Sequence, residues 1–177
     1  GISHRGLAKD TLPEVQRRVL EIDYFSYMEI TRLLLPHYLE RKSGHLVVIS
    51  SVMGKIGTPM RSAYAAAKHA LHGYFDCLRA EVWKENIKVT VITPGYIRTN
   101  VSLNAVTATG EKLNKLGKNI GGGYAADKAA LQIMRAVQKG RNEKYVGKPF
   151  SQEWMAIHLM RLFPSLAFRV FKNAMPQ

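Results

Sequence analysis

The 177-residue chain has one cysteine, Cys77, so no internal disulfide can form, and such cysteine usage suits a reducing compartment. It is also short of acidic residues. Its 13 Asp and Glu face 26 Lys and Arg, a formal net charge of +13. The shortage is uneven: residues 1–97 hold 9 acids against 13 bases, and residues 98–177 hold 4 against 13, so the surplus rises from 4 to 9. A basic half attracts phosphates, anionic lipid or nucleic acid, although for any single lysine a solvated surface explains as much. No nucleic-acid motif accompanies the charge, so no nucleic-acid partner is assigned. No apolar run approaches the roughly 20 residues that span a bilayer. No secretory signal stands at the start, but a chain that opens on Gly1 leaves open what precedes it. Repeats and low-complexity tracts are absent too. What is present reads as globular: 46% hydrophobic and 22% charged residues, in a length that suits one domain and one core.

Thr11-Leu-Pro-Glu14 predicts a helix start, with Thr11 as cap, Pro13 in the first turn and Glu14 completing a capping box. Val15, Val19, Ile22, Ile30, Leu33 and Leu34 recur at helical spacing, and Pro36 predicts a kink or break near 35. "HLVVIS", 45–50, reads as a buried parallel strand. Gly54, Gly57 and Pro59 make a loop. Residues 62–85 then read as a helix whose apolar stripe runs through Ala66/Ala67, Ala70/Leu71, Tyr74/Phe75, Leu78 and Val82. "IKVTVIT", 87–93, is a second strand closed by Pro94-Gly95. Residues 98–123 read as a polar loop with a helical piece, 124–140 as a helix stopped by Gly140, and 144–147 as a third strand. Helices alternating with strands in this way imply an α/β fold with a parallel sheet. The tail, 151–177, reads as one or two apolar helices broken at Pro164. A tail docked on this domain or on a second subunit is the simpler reading, and a basic, aromatic-rich helix on a membrane surface is the sharper one.

The chemistry gathers in "SSVMGKIGTPMRSAYAAAKHA", 50–70. In parallel α/β sheets ligands sit beyond the carboxyl ends of the strands, where Ser50, Ser51 and Thr93-Pro94-Gly95 all fall. Tyr64 and Lys68 are one helical turn apart and share a face. A free tyrosine, with a pKa about 10, is a poor base at neutral pH, and a nearby ammonium lowers that value. A serine hydroxyl opposite can donate to a carbonyl oxygen as charge builds on it. The three side chains together suit general acid chemistry at a carbonyl. Tyr-x-x-x-Lys alone is weak, because such pairs more often pack on a helix surface. The full order is far more specific: strand, Ser-Ser, glycine loop, Tyr 13 residues after Ser51, Lys four later, then a strand ending in Pro-Gly.

"VVISSVMGKIGTPMRSAYAAAKHAL" and "VTVITPGYIRT" resemble the active-site block and the later Pro-Gly motif of the short-chain dehydrogenase/reductase family, and the likeness covers about residues 1–147. Within that family, the tail and "LLLPHYLERKSGHLVVISS" look most like the membrane-associated branch that holds hydroxysteroid dehydrogenases and members seven and seven-B of the dehydrogenase/reductase series. The resemblance implies a doubly wound, Rossmann-like parallel sheet, with residues 1–150 forming its C-terminal catalytic half. Gly1 looks like the end of the family's Asn-Asn-Ala-Gly motif, so strands one to four and the glycine-rich phosphate turn are not in this sequence. Gly121-Gly122-Gly123 is no substitute, because no strand leads into it.

The resemblance also implies roles. Tyr64 is the acid/base; Lys68 holds the nicotinamide ribose and lowers the tyrosine pKa; Ser51 orients the substrate oxygen. Tyr64, Lys68, Pro94, Gly95, Ile97 and Thr99 bind the cofactor, NADP or NAD with NADP slightly favoured. Residues 98–123 form a substrate lid. Asp23 stands where the family has an asparagine in its proton relay, and a carboxylate there is expected to shift the pH optimum. The implied substrate is a small apolar carbonyl or alcohol such as a steroid, retinoid or lipid ketone. The implied setting is the cytoplasmic side of an endoplasmic-reticulum or peroxisomal membrane, with the tail at its surface and identical chains associating. The rival reading is a non-catalytic piece acting through association, by its tail or an open sheet edge. His69 and His72 share a helix face but lack a third ligand, so no metal is assigned and both read as surface or boundary residues. Asn100-Val-Ser102 is a glycosylation sequon, which its place in the lid and the single cysteine argue against using.

Overall fold

The computed structural model describes residues 1–101, 103–114 and 122–174. Ser102 of the sequon, residues 115–121 of the expected lid with Gly121 of the glycine triplet, and the tail end at 175–177 lie outside the described residues. The central sheet has three parallel strands in the order β2 (Gly44–Ile49), β3 (Ile87–Pro94) and β5 (Glu143–Val146). The register runs from Gly44↔Ile87 to Ile49↔Ile92, and from Val91↔Glu143 to Pro94↔Val146. A separate two-residue pair joins β1 (His4–Arg5) to β4 (Val106–Thr107).

Alternation along β3 explains the layering. Val89 and Val91 point to one face, where α3 (Ser62–Glu81) packs Leu71, Phe75 and Leu78 against them. Ile92 points to the other face and meets Ala129 and Ala136 of α4 (Ala126–Gln138). Helices therefore cover both faces of β3. The β2 strand is parallel as expected but buried on one face only. Leu46 and Val48 pack under α3, while Val47 and Ile49 stay 37% and 39% exposed. The stripe of α3 is also narrower than the sequence pattern: Ala66 is exposed, and burial centres on Ala63, Ala67, Leu71, Phe75 and Leu78.

Two expected breaks fall elsewhere. Thr11 does not cap α1 (Pro13–Leu20); Leu12 precedes the helix without a side-chain bond. The Thr11 hydroxyl is taken by Leu7 O at 2.8 Å and His4 Nε2 at 3.1 Å, and Pro13 needs no cap for a nitrogen that has no hydrogen. Pro36 does not end α2 (Ser26–Glu40), which runs on past it at an exposed position where water can take the freed carbonyl. The irregularity comes earlier, as a π-helical turn over Glu21–Phe25 that links α1 to α2.

The tail forms two helices, α5 (Gln152–Leu162) and α6 (Pro164–Phe171). Ser51's neighbours Val52, Met53 and Ile56 join Ala65, Ala167 and Phe171 in one apolar cluster, so α6 docks on this same chain. Among the described residues, no helix is long and apolar enough to cross a membrane.

Candidate active site

All three parallel strands end on the same side, at Ser50, Gly95 and Gly147. Beyond these ends opens a cleft of about 1150 Å³. Ser51, Tyr64, Pro94, Gly95, Ile97 and Thr99 line it, so the structure brings six of the sequence-predicted residues to one wall. Ser51 has an extended backbone and accepts a hydrogen bond from Met53 N at 3.2 Å, which starts a short 3₁₀ turn. The same hydroxyl side chain is close enough to Tyr64 to pull its pKa downward. Neighbouring Ser50 does something else: its Oγ donates to the Lys68 carbonyl at 3.3 Å, tying the strand end to α3. Gly54 is needed in this turn, because a Cβ there would lie 2.7 Å from Lys68 O, Ser50 Oγ and His72 Cδ2.

Lys68 and Asp23 sit behind the cleft wall. Asp23 is fully buried and Lys68 is 3% exposed. Asp23 Oδ1 lies 3.8 Å from Lys68 Nζ and accepts from Ile2 N at 2.9 Å, while Oδ2 has no partner among the described residues. The Gly1 nitrogen is 3.9 Å from the same carboxylate. Burial raises the Asp23 pKa, against the opposing pull of Lys68, and burial lowers that of Lys68, against the support of Asp23. The pair thus holds a charge that its surroundings oppose on both sides.

Tyr64 departs from the expected direction. Its pKa is pushed up to about 12, by burial first, with the Ser51 hydroxyl opposing and the Asp23 carboxylate adding to the rise. The resemblance implied that Lys68 lowers it; here burial decides the direction, and the Lys68 ammonium lies 3.8 Å from the Asp23 carboxylate. Tyr64 is a phenol at neutral pH with either value, and burial holds its proton more firmly.

Several residues here carry no motif signal. Arg61, three before Tyr64, is buried in the cleft wall and donates through Nη1 to Ser3 Oγ and, at 3.4 Å, to His4 O. Burial, then Arg5, lowers its pKa to about 10. Glu153 of α5 accepts from Tyr96 N at 3.1 Å, and Tyr145 Oη meets Ser151 Oγ at 2.8 Å, so the tail is clamped onto the Pro94-Gly95 corner. Trp154, Met155, Leu159, Leu162 and Phe163 then form the far wall. Arg61 had a faint sequence signal in its place at the start of α3; the tail residues had none, because only folding brings them back to Tyr64.

The remaining candidates are placed as follows. His69 Nδ1 is 2.8 Å from Ala65 O within its own helix. His72 is buried instead of at the surface, and neither ring nitrogen has a hydrogen-bond partner among the described residues. Gly122 and Gly123 lead into Tyr124, whose backbone bonds Tyr96 O and Arg98 N, so this segment braces the strand-end corner.

The cleft can be tested for the nicotinamide end of a dinucleotide. Ile97, Pro94 and Val52 give the cleft apolar lining for a flat ring, and Ser51, Tyr64 and Thr99 give it hydroxyls. The donor set near Tyr64 suits a ribose, and in that respect the residues fit. No glycine-rich strand-to-helix turn for the pyrophosphate occurs among the described residues.

Comparison with known proteins identifies the family and the fold. Residues 1–110 match the short chain dehydrogenase family. The chain is 49% identical over 173 residues to dehydrogenase/reductase SDR family member 7B of Mus musculus, covering 98% of this chain and 53% of that protein. It is 44% identical to the SDR family protein 7-like of Anopheles gambiae, covering 98% and 54%. It thus spans about half the length of the relatives it matches. Among solved structures, a short-chain dehydrogenase from Streptomyces avermitilis superposes with a TM-score of 0.76 at 28% identity, covering 96% of this chain and 67% of that one. One from Burkholderia cenocepacia in complex with NADP gives 0.78 at 19% identity, covering 97% and 65%, and supports the Rossmann-like fold alone.

Proposed function

The chain belongs to the short-chain dehydrogenase family, and from that premise we propose that its parent protein is an NAD(P)-dependent oxidoreductase that interconverts a carbonyl and a secondary alcohol, with Tyr64 as acid/base. The observation that carries this reading is the joint placement of Ser51 and Tyr64 on the cleft wall with Lys68 directly behind. Ser51 orients the substrate oxygen and donates to it as negative charge develops. Tyr64, protonated at neutral pH as an ordinary tyrosine is and held so more firmly by burial, gives its proton to that oxygen when a ketone is reduced. Lys68 supplies positive charge behind Tyr64 and shares it with Asp23. When bound, the nicotinamide supplies or accepts the hydride. Tail residues that line the cleft, Trp154, Ala156 and Leu159 among them, offer apolar surface, which supports an apolar ketone as substrate.

Titration of the protein with NADPH and NADH, followed by nicotinamide fluorescence, tests the reading together with turnover of a steroid or long-chain ketone. Micromolar binding and reduction are expected. Neither binding nor turnover would leave the association reading in its place.

A second reading concerns the tail surface. Leu162, Phe163, Leu166, Phe168 and Val170 are exposed, Phe168 by 68%, beside Arg161, Arg169 and Lys172. Apolar and basic side chains mixed in this way favour docking on an anionic membrane surface. Flotation with anionic liposomes tests it: Leu166→Ser with Phe168→Ser, both outside the cleft lining, should lose the lipid, and equal flotation rejects it.

A further inference from the structure

The π-helical turn over Glu21–Phe25 has a consequence for Lys68. Such a turn adds a residue to the helical repeat and is frequent at functional sites. Here it lets Asp23, inside the turn, and Tyr27, in the first turn of α2, both face α3. The Lys68 ammonium then has three neighbours. Asp23 Oδ1 lies 3.8 Å away, the Tyr27 ring centroid 5.2 Å and the Tyr64 ring centroid 5.6 Å. The cation lies between two aromatic faces and one carboxylate, with water largely excluded. Such a contact between a cation and a ring face strengthens once desolvated.

We propose that Tyr27 is a positioning residue for the reaction, its ring face holding the Lys68 ammonium at the Tyr64 side against the pull of Asp23. The inference rests on the proposed role of Lys68. The groups facing that ammonium are Asp23 from the π turn, Tyr27 from α2, Tyr64 from α3 itself and the Gly1 nitrogen beyond Asp23. Only the two rings attract it without competing for a proton at neutral pH. Removing the Tyr27 ring leaves the Tyr64 ring alone against Asp23, so the ammonium is drawn toward the carboxylate, and the lost ring contact makes its charged form harder to keep.

The test replaces the ring and its electrons separately. The Lys68 side-chain nitrogen is titrated by heteronuclear NMR, and ketone reduction is followed across pH in the same preparations. Tyr27→Phe should keep the Lys68 titration near its wild-type position. Progressive fluorination of that phenylalanine ring keeps its shape while weakening its face, so the Lys68 titration should move stepwise to lower pH. Tyr27→Leu should move it furthest and cut turnover about tenfold, the scale of one desolvated cation–ring contact. If fluorination and Tyr27→Leu leave the Lys68 titration in place, the proposal is overturned, and a loss of stability alone also counts against it. If the titration moves and no ketone is reduced by any form, Tyr27 still holds Lys68 and the proposed reaction is what fails.

Discussion

Asp23→Asn separates charge from shape at the buried pair. The amide keeps an oxygen for Ile2 N, now at 2.9 Å, and removes the charge 3.8 Å from Lys68 Nζ. At an effective dielectric near 20, two unit charges about 4 Å apart attract by about 4 kcal/mol. Breaking a buried pair costs about 3–5 kcal/mol if the orphaned partner stays charged. Lys68 has a way to avoid part of that: burial already lowers its pKa and only Asp23 raises it, so without Asp23 it releases its proton more readily. The expected loss for Asp23→Asn is therefore about 2 kcal/mol, below the full cost of an orphaned ion. Asp23→Ala also orphans Ile2 N and should cost about 1–3 kcal/mol more. The functional sign is worked out in the same way. Asp23 raises the Tyr64 pKa, so its removal lets Tyr64 lose its proton at lower pH, and Lys68 loses its charge at lower pH as well. Both effects move the alkaline limb of kcat/KM to lower pH. Urea unfolding of the two variants and a pH profile of turnover are the assays. An Asp23→Asn protein with an unchanged profile and unchanged stability would refute the reasoning.

Three further outcomes are expected. His72 is buried with its pKa lowered to about 4, chiefly by burial, so its contribution is present above its ordinary value near 6.5 and lost as pH falls toward 4. Stability should fall across that window by about 2–3 kcal/mol, and His72→Leu should flatten the fall; identical acid limbs in urea unfolding would reject this. Gly95→Ala would place a Cβ 2.7 Å from Tyr145 Oη and 3.3 Å from Glu153 Oε1. Both are committed to the tail clamp, so about 1–3 kcal/mol of thermal stability should go and α5 should become open to proteolysis; an unchanged digestion pattern speaks against the clamp. Phe171→Ala removes a nearly buried ring from the α6 contact and should cost about 3 kcal/mol while raising KM for an apolar ketone more than it lowers kcat. Equal effects on small and large ketones would show that α6 shapes no substrate wall.

Much of the scaffold was legible because its signals are local. β-branched runs bounded by glycine and proline marked β2 and β3, the short Lys-Tyr-Val-Gly segment marked β5, and the apolar stripe from Ala66 to Val82 marked α3. Ser51, Tyr64 and Lys68 were legible through spacing, since a strand end and one helical turn leave them little choice of direction. What escaped depends on contacts far apart in sequence. A carboxylate of Asp23 near Lys68, 45 residues later, was expected only through the family resemblance, because no residue beside Asp23 announces it. The π turn has no local marker, so the irregularity was expected at Pro36 instead. Arg61 and Glu153 look like ordinary surface charges until α3 and α5 close on one cleft. The pKa of Tyr64 was misjudged for the same reason: the lysine is visible at i+4, whereas burial and the carboxylate are properties of the folded chain.

Tyr64→Phe tests the central claim most directly, because it removes the reacting hydroxyl and keeps the ring that packs beside Lys68 and Met53. In the protein assayed with NADPH and an apolar ketone, the account predicts dinucleotide affinity within a few-fold of wild type and turnover reduced by about 10²–10⁴, the usual worth of a positioned acid. Turnover within a few-fold of wild type would contradict it.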